Sequence, residues 1–111
     1  MARVVAFIPD LLFGSGVVAS LQAAGHQVEL RSELDDLTGA DLVIVDLTVD
    51  PEERIEQVGE LRPAGVPALA FYSHVEAEVR TRAEEAGFEL VVPRSRMARE
   101  GAALVERLLS S

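Results

Sequence analysis

At 111 residues the chain has the length of one domain, and 49% hydrophobic content in short patterned runs excludes a disordered protein. No cysteine and no lysine occur, which excludes disulfides, thiolate metal sites, Schiff-base chemistry and a Walker-type phosphate loop. The net charge of −9 argues against nucleic acid or an anionic membrane as partner, and nearly all of it lies between Glu29 and Glu60, where eleven carboxylates accompany only Arg31 and Arg54.

Met1-Ala2-Arg3 leads straight into Val4-Val5-Ala6-Phe7-Ile8, an apolar run of strand length ended by Pro9 and Asp10. No secretory signal is read there, no run reaches the roughly 18 apolar residues of a membrane span, and a cytoplasmic location is the expectation. From Leu11 the period changes. Phe13, Val17, Leu21 and Ala24 make one stripe of a helix, and Gly25 stands where a left-handed C-terminal cap belongs. Gln27 to Leu30 alternates like an edge strand, with His26 before it expected at the surface. The link from Arg31 to Gly39 has only Leu34 and Leu37 as anchors, which predicts a short or irregular helix.

Asp41-Leu42-Val43-Ile44-Val45-Asp46 reads as a strand buried on both faces, the central one of a parallel sheet. Asp50-Pro51-Glu52-Glu53 predicts a helix start with Asp50 as N-cap, and Ile55, Val58 and Leu61 supply its buried face. Pro63 and Gly65 end that helix, and Ala68 to Tyr72 is the fourth strand. Ser73 and Glu76 have capping-box spacing before a helix expected to bury Val75, Val79, Ala83 and Ala86. Phe88 to Val92 is the fifth strand, and Met97, Gly101, Leu104, Val105 and Leu108 line the last helix. Strands alternating with helices across short loops demand a parallel sheet with right-handed crossovers and helices on both faces. The expected class is α/β, a flavodoxin-like three-layer sandwich with strand order 2-1-3-4-5, formed by residues 1–111 as a single domain.

In that order the crevice opens between strands one and three, so Asp10 and Asp46 are the first residues to question. Asp46 either faces an anion or accepts backbone N–H bonds from the next loop; Asp10 either ligates a metal or caps the first helix. Ser73 is a hydroxyl at the site or a cap. Gly14-Ser15-Gly16 could present N–H groups to a phosphate or permit close helix packing. His74 has no second ligand nearby for a metal. Arg94, Arg96 and Arg99 cluster at a helix start, where the macrodipole disfavours cations, so an anion, an acidic partner or the chain's own carboxylates must compensate.

Asp41 to Leu47, Ala83-Glu84-Glu85-Ala86-Gly87 and the order of elements resemble the receiver domain of bacterial response regulators over nearly the whole chain. The resemblance implies a CheY-like module of two-component signal transduction with Asp46 as phosphoacceptor. Asp10, Thr48, Tyr72, Ser73 and Arg94 would stand at the edge of its site. It also implies a contact face built from the helix after strand four, strand five and the last helix, where Arg96 and Arg99 would meet a protein partner or a second copy.

Departures from the family bear on chemistry. Pro9-Asp10 replaces the usual acid pair, so magnesium on Asp10 and Asp46 would be weakly held. Val92-Pro93-Arg94 replaces a lysine followed by proline, and Pro51 lies one position late. The expectation is a pseudo-receiver, degenerate for phosphorylation, with no enzymatic activity and no cofactor beyond weak magnesium. The alternative is a small flavodoxin-like enzyme or carrier that binds a phosphorylated metabolite or nucleotide at the carboxyl edge.

Overall fold

Each of the five segments read as strands contains a strand, the fifth starting at Leu90 and not at Phe88, and each strand pairs in parallel with its neighbours. β1 (Arg3–Phe7), β2 (Gln27–Arg31), β3 (Leu42–Asp46), β4 (Ala68–Tyr72) and β5 (Leu90–Pro93) make one sheet of order β2-β1-β3-β4-β5. The structure is a computed structural model and describes residues 2–110. Helices α1 (Leu11–Ala23), α2 (Pro51–Leu61), α3 (Ala77–Glu85) and α4 (Arg94–Leu109) join the strands. No helix among the described residues is long and apolar enough to cross a membrane.

β3 and β4 are buried along their whole length, which continuous apolar runs make possible only between two covered faces. On one face Val4, Ala6, Ile44 and Phe71 pack against Val17 and Leu21 of α1 and Met97 and Leu104 of α4. On the other, Val5, Val43, Val45 and Ala70 pack against Val58 of α2 and Val79 and Ala83 of α3. The three-layer sandwich follows from this alternation of side chains along each strand.

The link between β2 and β3 departs from expectation, because no helix of any length forms there. Two arginines hold it as a loop. Arg31 Nη1 donates to Asp35 at 2.9 Å and to the Asp36 carbonyl, and Arg3 Nη1 donates to the Thr38 carbonyl at 2.9 Å. Thr38 in turn donates its amide to Asp36 Oδ1 at 2.9 Å, a local turn that competes with helix geometry. Leu37, 1% exposed, and the small Ala40 are the side chains of this loop that enter the core.

Helix starts differ as well. Asp50 precedes α2 but makes no side-chain cap; its φ of 48° lies in the left-handed region, which aspartate visits more readily than most residues other than glycine. The expected capping box at Ser73 is also absent. Ser73 opens a turn, its carbonyl accepting from the Glu76 amide at 2.8 Å, and α3 starts only at Ala77 without a side-chain cap. This later start puts Val75 in the turn, 76% exposed; Ala86, at the C-cap beyond the last turn of α3, is exposed as well. Ala24 is exposed after α1 for the same reason: it lies past the last packed turn. His26, expected at the surface, is buried. Its Nδ1 accepts from the Ala2 amide at 3.4 Å, so Nε2 carries the proton and donates to Glu106 Oε1 at 2.6 Å.

Candidate functional site at the carboxyl edge

Parallel strands end together at one edge, and there the loops after β1, β3, β4 and β5 meet. Asp46 is the last residue of β3 and is 5% exposed. Its Oδ1 accepts from the Thr48 amide at 2.8 Å and from Thr48 Oγ1 at 2.6 Å, so the carboxylate organises the turn that follows it. Its backbone carbonyl accepts from Arg54 Nη1 at 2.8 Å, and the same guanidinium lies 4.7 Å from the centre of the Phe7 ring. Arg54 therefore pins α2 to the ends of β1 and β3.

Asp10 has two tasks. Its Oδ1 caps α1 by accepting from the Phe13 amide at 3.1 Å, and its Oδ2 accepts from Arg94 Nη2 at 3.1 Å. Arg94 also stacks 4.4 Å over Phe13, whose ring sits 5.0 Å from that of Phe71. An ion pair, a cation–π contact and an aromatic pair thus run from the first helix to the last across the sheet's edge.

Beside this chain of contacts lies an open cleft of about 570 Å³, lined by Phe13, Thr48, Ser73, His74, Glu76 and Arg94. Of the residues expected at the site edge, Thr48, Ser73 and Arg94 line this cleft and Asp10 stands beside it through Arg94. Tyr72 does not line it: its side chain packs with the core of the α2/α3 face, where its hydroxyl is the first cause, ahead of Glu84, that holds the Arg80 guanidinium above its ordinary value. Among the described residues, no group of three or more His, Cys, Asp or Glu could hold a metal ion.

The arginines at the start of α4 find acids within the chain. Arg94 takes Asp10, Arg96 reaches Glu100 at 3.5 Å, and Arg99 approaches the same carboxylate at 3.9 Å. Gly14 is explained by packing: a Cβ there would lie 2.9 Å from Leu30 Cδ1, so glycine lets α1 approach β2. Gly16 has no such reason, since a Cβ would meet nothing within 4 Å.

Sequence reasoning passed over Arg54 and Phe13 as site residues and the apolar rim of this edge altogether. Leu11, Leu12, Val49 and Val75 are 69, 88, 56 and 76% exposed, and all four belong to the loops or first turn that follow β1, β3 and β4. The signal for Leu11 and Leu12 was present, because both fall off the stripe of Phe13, Val17 and Leu21 that the helix buries.

No family model and no curated relative matches the chain. Solved structures do. A non-phosphorylated HemR receiver domain from Leptospira biflexa is 21% identical with a TM-score of 0.83, covering 100% of this chain and 96% of its own. A response regulator receiver protein from Burkholderia phymatum is 21% identical with a TM-score of 0.84, over 99% of this chain and 96% of that one. An atypical orphan response regulator, described with a phosphorylation-independent regulatory mechanism, is 18% identical with a TM-score of 0.79, over 97% and 95%. The TM-scores and the coverage of both chains agree with the sheet order found in this chain: it has the CheY-like fold of response-regulator receiver domains.

Proposed function

We propose that the chain is a cytoplasmic receiver-like module of signal transduction that acts by contact with a protein partner or a second copy, without phosphoryl transfer to Asp46. The observation that carries this reading is the pairing of Asp10 with Arg94. Phosphoryl transfer to a carboxylate needs an acid that helps hold a divalent ion and a cation that meets the phosphoryl oxygens. Here the acid and the cation neutralise one another, and the acid also serves as a helix cap. With one aspartate so committed and Asp46 turned to Thr48, the residues do not fit a receiver's magnesium ion. The atypical regulator of the same fold gives a precedent for regulation without phosphorylation.

Intact mass after incubation with acetyl phosphate and magnesium tests the reading. The expected result is an unmodified chain. A magnesium-dependent gain of one phosphoryl group at high occupancy, abolished by Asp46→Asn, would restore an ordinary phosphorylation switch.

The face of α3, β5 and α4 is the contact surface this reading assigns, with Arg96 and Arg99 at its centre. Arg99 supports it best: its side chain is 68% exposed and only loosely engaged by Glu100. Arg96→Glu with Arg99→Glu is expected to abolish self-association or partner capture measured by light scattering or pull-down. Unchanged association in the double variant would remove this face from consideration.

A further inference from the structure

A groove of about 370 Å³ runs between α1 and α4, walled by Leu12, Phe13 and Val17 on one side and Met97 and Ala98 on the other. Its volume lies within the roughly 300–1,000 Å³ range of small-molecule sites. At one end stand Asp10 and Arg94, and through Phe13, Arg94 and Ala98 the groove continues into the cleft at the carboxyl edge.

Contacts within the described residues leave three features of this groove unexplained. Gly16 stands inside α1, where glycine costs about 1 kcal/mol relative to alanine, yet no protein atom would collide with a Cβ, and what lies before it is the groove. Leu12 holds an apolar side chain at the mouth, 88% exposed. Arg94 spends Nη2 on Asp10 and one face of its guanidinium on the Phe13 ring, which leaves Nε–H and Nη1–H without a hydrogen-bond acceptor among the described residues.

We propose that the groove binds a small amphiphilic monocarboxylate, its apolar chain between α1 and α4 and its carboxylate on the free donors of Arg94. The charge follows from the cation present. Arg94 is the only cationic side chain among the described residues that line the groove, its guanidinium matches a carboxylate in shape and charge, and Asp10 beside it disfavours a dianionic phosphate more than a monoanion. The apolar body follows from the walls, and its burial would cover Leu12. Such a ligand would bridge the first and last helices, giving the module an input that does not pass through Asp46. The inference stands apart from the reading of Asp46, since phosphorylation by mass and ligand binding are separate measurements.

Octanoate, with octanol as its uncharged counterpart, is the probe, and amide chemical shifts of the full chain are the readout. Octanoate is expected to give saturable shifts confined to residues 12–20 and 94–101. Octanol should bind about tenfold more weakly, the value of one hydrogen bond to a charged group. Arg94→Gln should bring octanoate down to the octanol affinity and leave octanol unchanged. Ala98→Leu, which fills the groove from an exposed position on α4, should abolish binding of both at an unchanged thermal midpoint. Absence of saturable shifts, octanol binding as tightly as octanoate, or full affinity in folded Ala98→Leu would each overturn the assignment.

Discussion

The two ends of the sheet are finished in different ways. At the amino end, Glu89 accepts from the Ala68 amide at 2.9 Å and from Arg62 at 2.6 Å, Asp41 accepts from the Arg3 amide at 2.8 Å, and buried His26 ties Glu106 to the start of β1. At the carboxyl end polar contacts are also present, but the four exposed large apolar residues among the described ones gather around them. Unpaired backbone donors at strand starts need acceptors, so side chains of the amino end are committed to the fold. The carboxyl end leaves apolar surface uncovered at a cost in solvation, which has a return only if something binds there.

The largest stability effect is therefore expected at the amino end. Glu89→Ala removes the partner of Arg62 and leaves the amide of Ala68, a fully buried residue, without its acceptor. A loss of about 2 kcal/mol in urea unfolding is expected, the usual cost of stranding such a donor. The Glu89 carboxyl also sets a pH dependence. Burial alone would raise it, but the Ala68 amide and Arg62 outweigh burial and hold it below its ordinary 4.5. A depressed carboxyl contributes stability that is fully present above the unfolded value and lost as pH falls below 4.5 through the folded value. Glu89→Gln should accordingly narrow its stability gap to the parent as pH drops through that window, and a gap unchanged from neutral pH to pH 3 would show that the tie carries no charge-dependent stability.

His26→Ala comes next, at about 1 to 2 kcal/mol, because it vacates a buried position and removes the hydrogen bond to the Glu106 carboxylate. Equal thermal midpoints for the variant and the parent would make His26 a passenger of packing. At the carboxyl end the expectation is smaller. Arg94→Gln breaks an ion pair whose two side chains are 48 and 49% exposed. Solvent screens such pairs, so about 1 kcal/mol or less should be lost, even though the same change is expected to remove carboxylate binding.

The two ends also differ in how far the sequence exposed them. β3 and β4 were legible because a strand buried on both faces must be a continuous apolar run, and such a run can form only one kind of strand. Asp10 and Asp46 were legible as edge residues because strand ends fix where they emerge. The Asp10–Arg94 pair was not, since 84 positions separate its partners and no local pattern records a contact at that range. His26 is buried by Glu106 from 80 positions away, for the same reason. Ser73 and Glu76 misled differently: the spacing of a capping box was present, but a turn closed by their backbone groups took its place. The loop after β2 went furthest astray, because Arg3 and Arg31 reach its carbonyls from neighbouring strands, where a helix would have satisfied them internally.

The smallest effect on stability is expected from the apolar rim, and it is the sharpest division between the two ends. Leu12→Ser and Val75→Ser replace side chains that are 88 and 76% exposed, so little burial is lost with them. Stability should move by no more than about 0.5 kcal/mol, as for surface positions generally, and solubility at high concentration should rise as exposed apolar area falls. If the rim exists for contact, the same double variant should lose partner capture while its urea midpoint stays where it was. A shifted midpoint of the size seen for Glu89→Ala would mean that these residues support the fold after all, and retained capture at an unchanged midpoint would assign contact elsewhere. Serine at position 12 also removes the apolar mouth of the groove between α1 and α4. Leu12→Ser alone should therefore weaken octanoate, whereas Val75→Ser alone, on the far side of the cleft, should leave it unchanged.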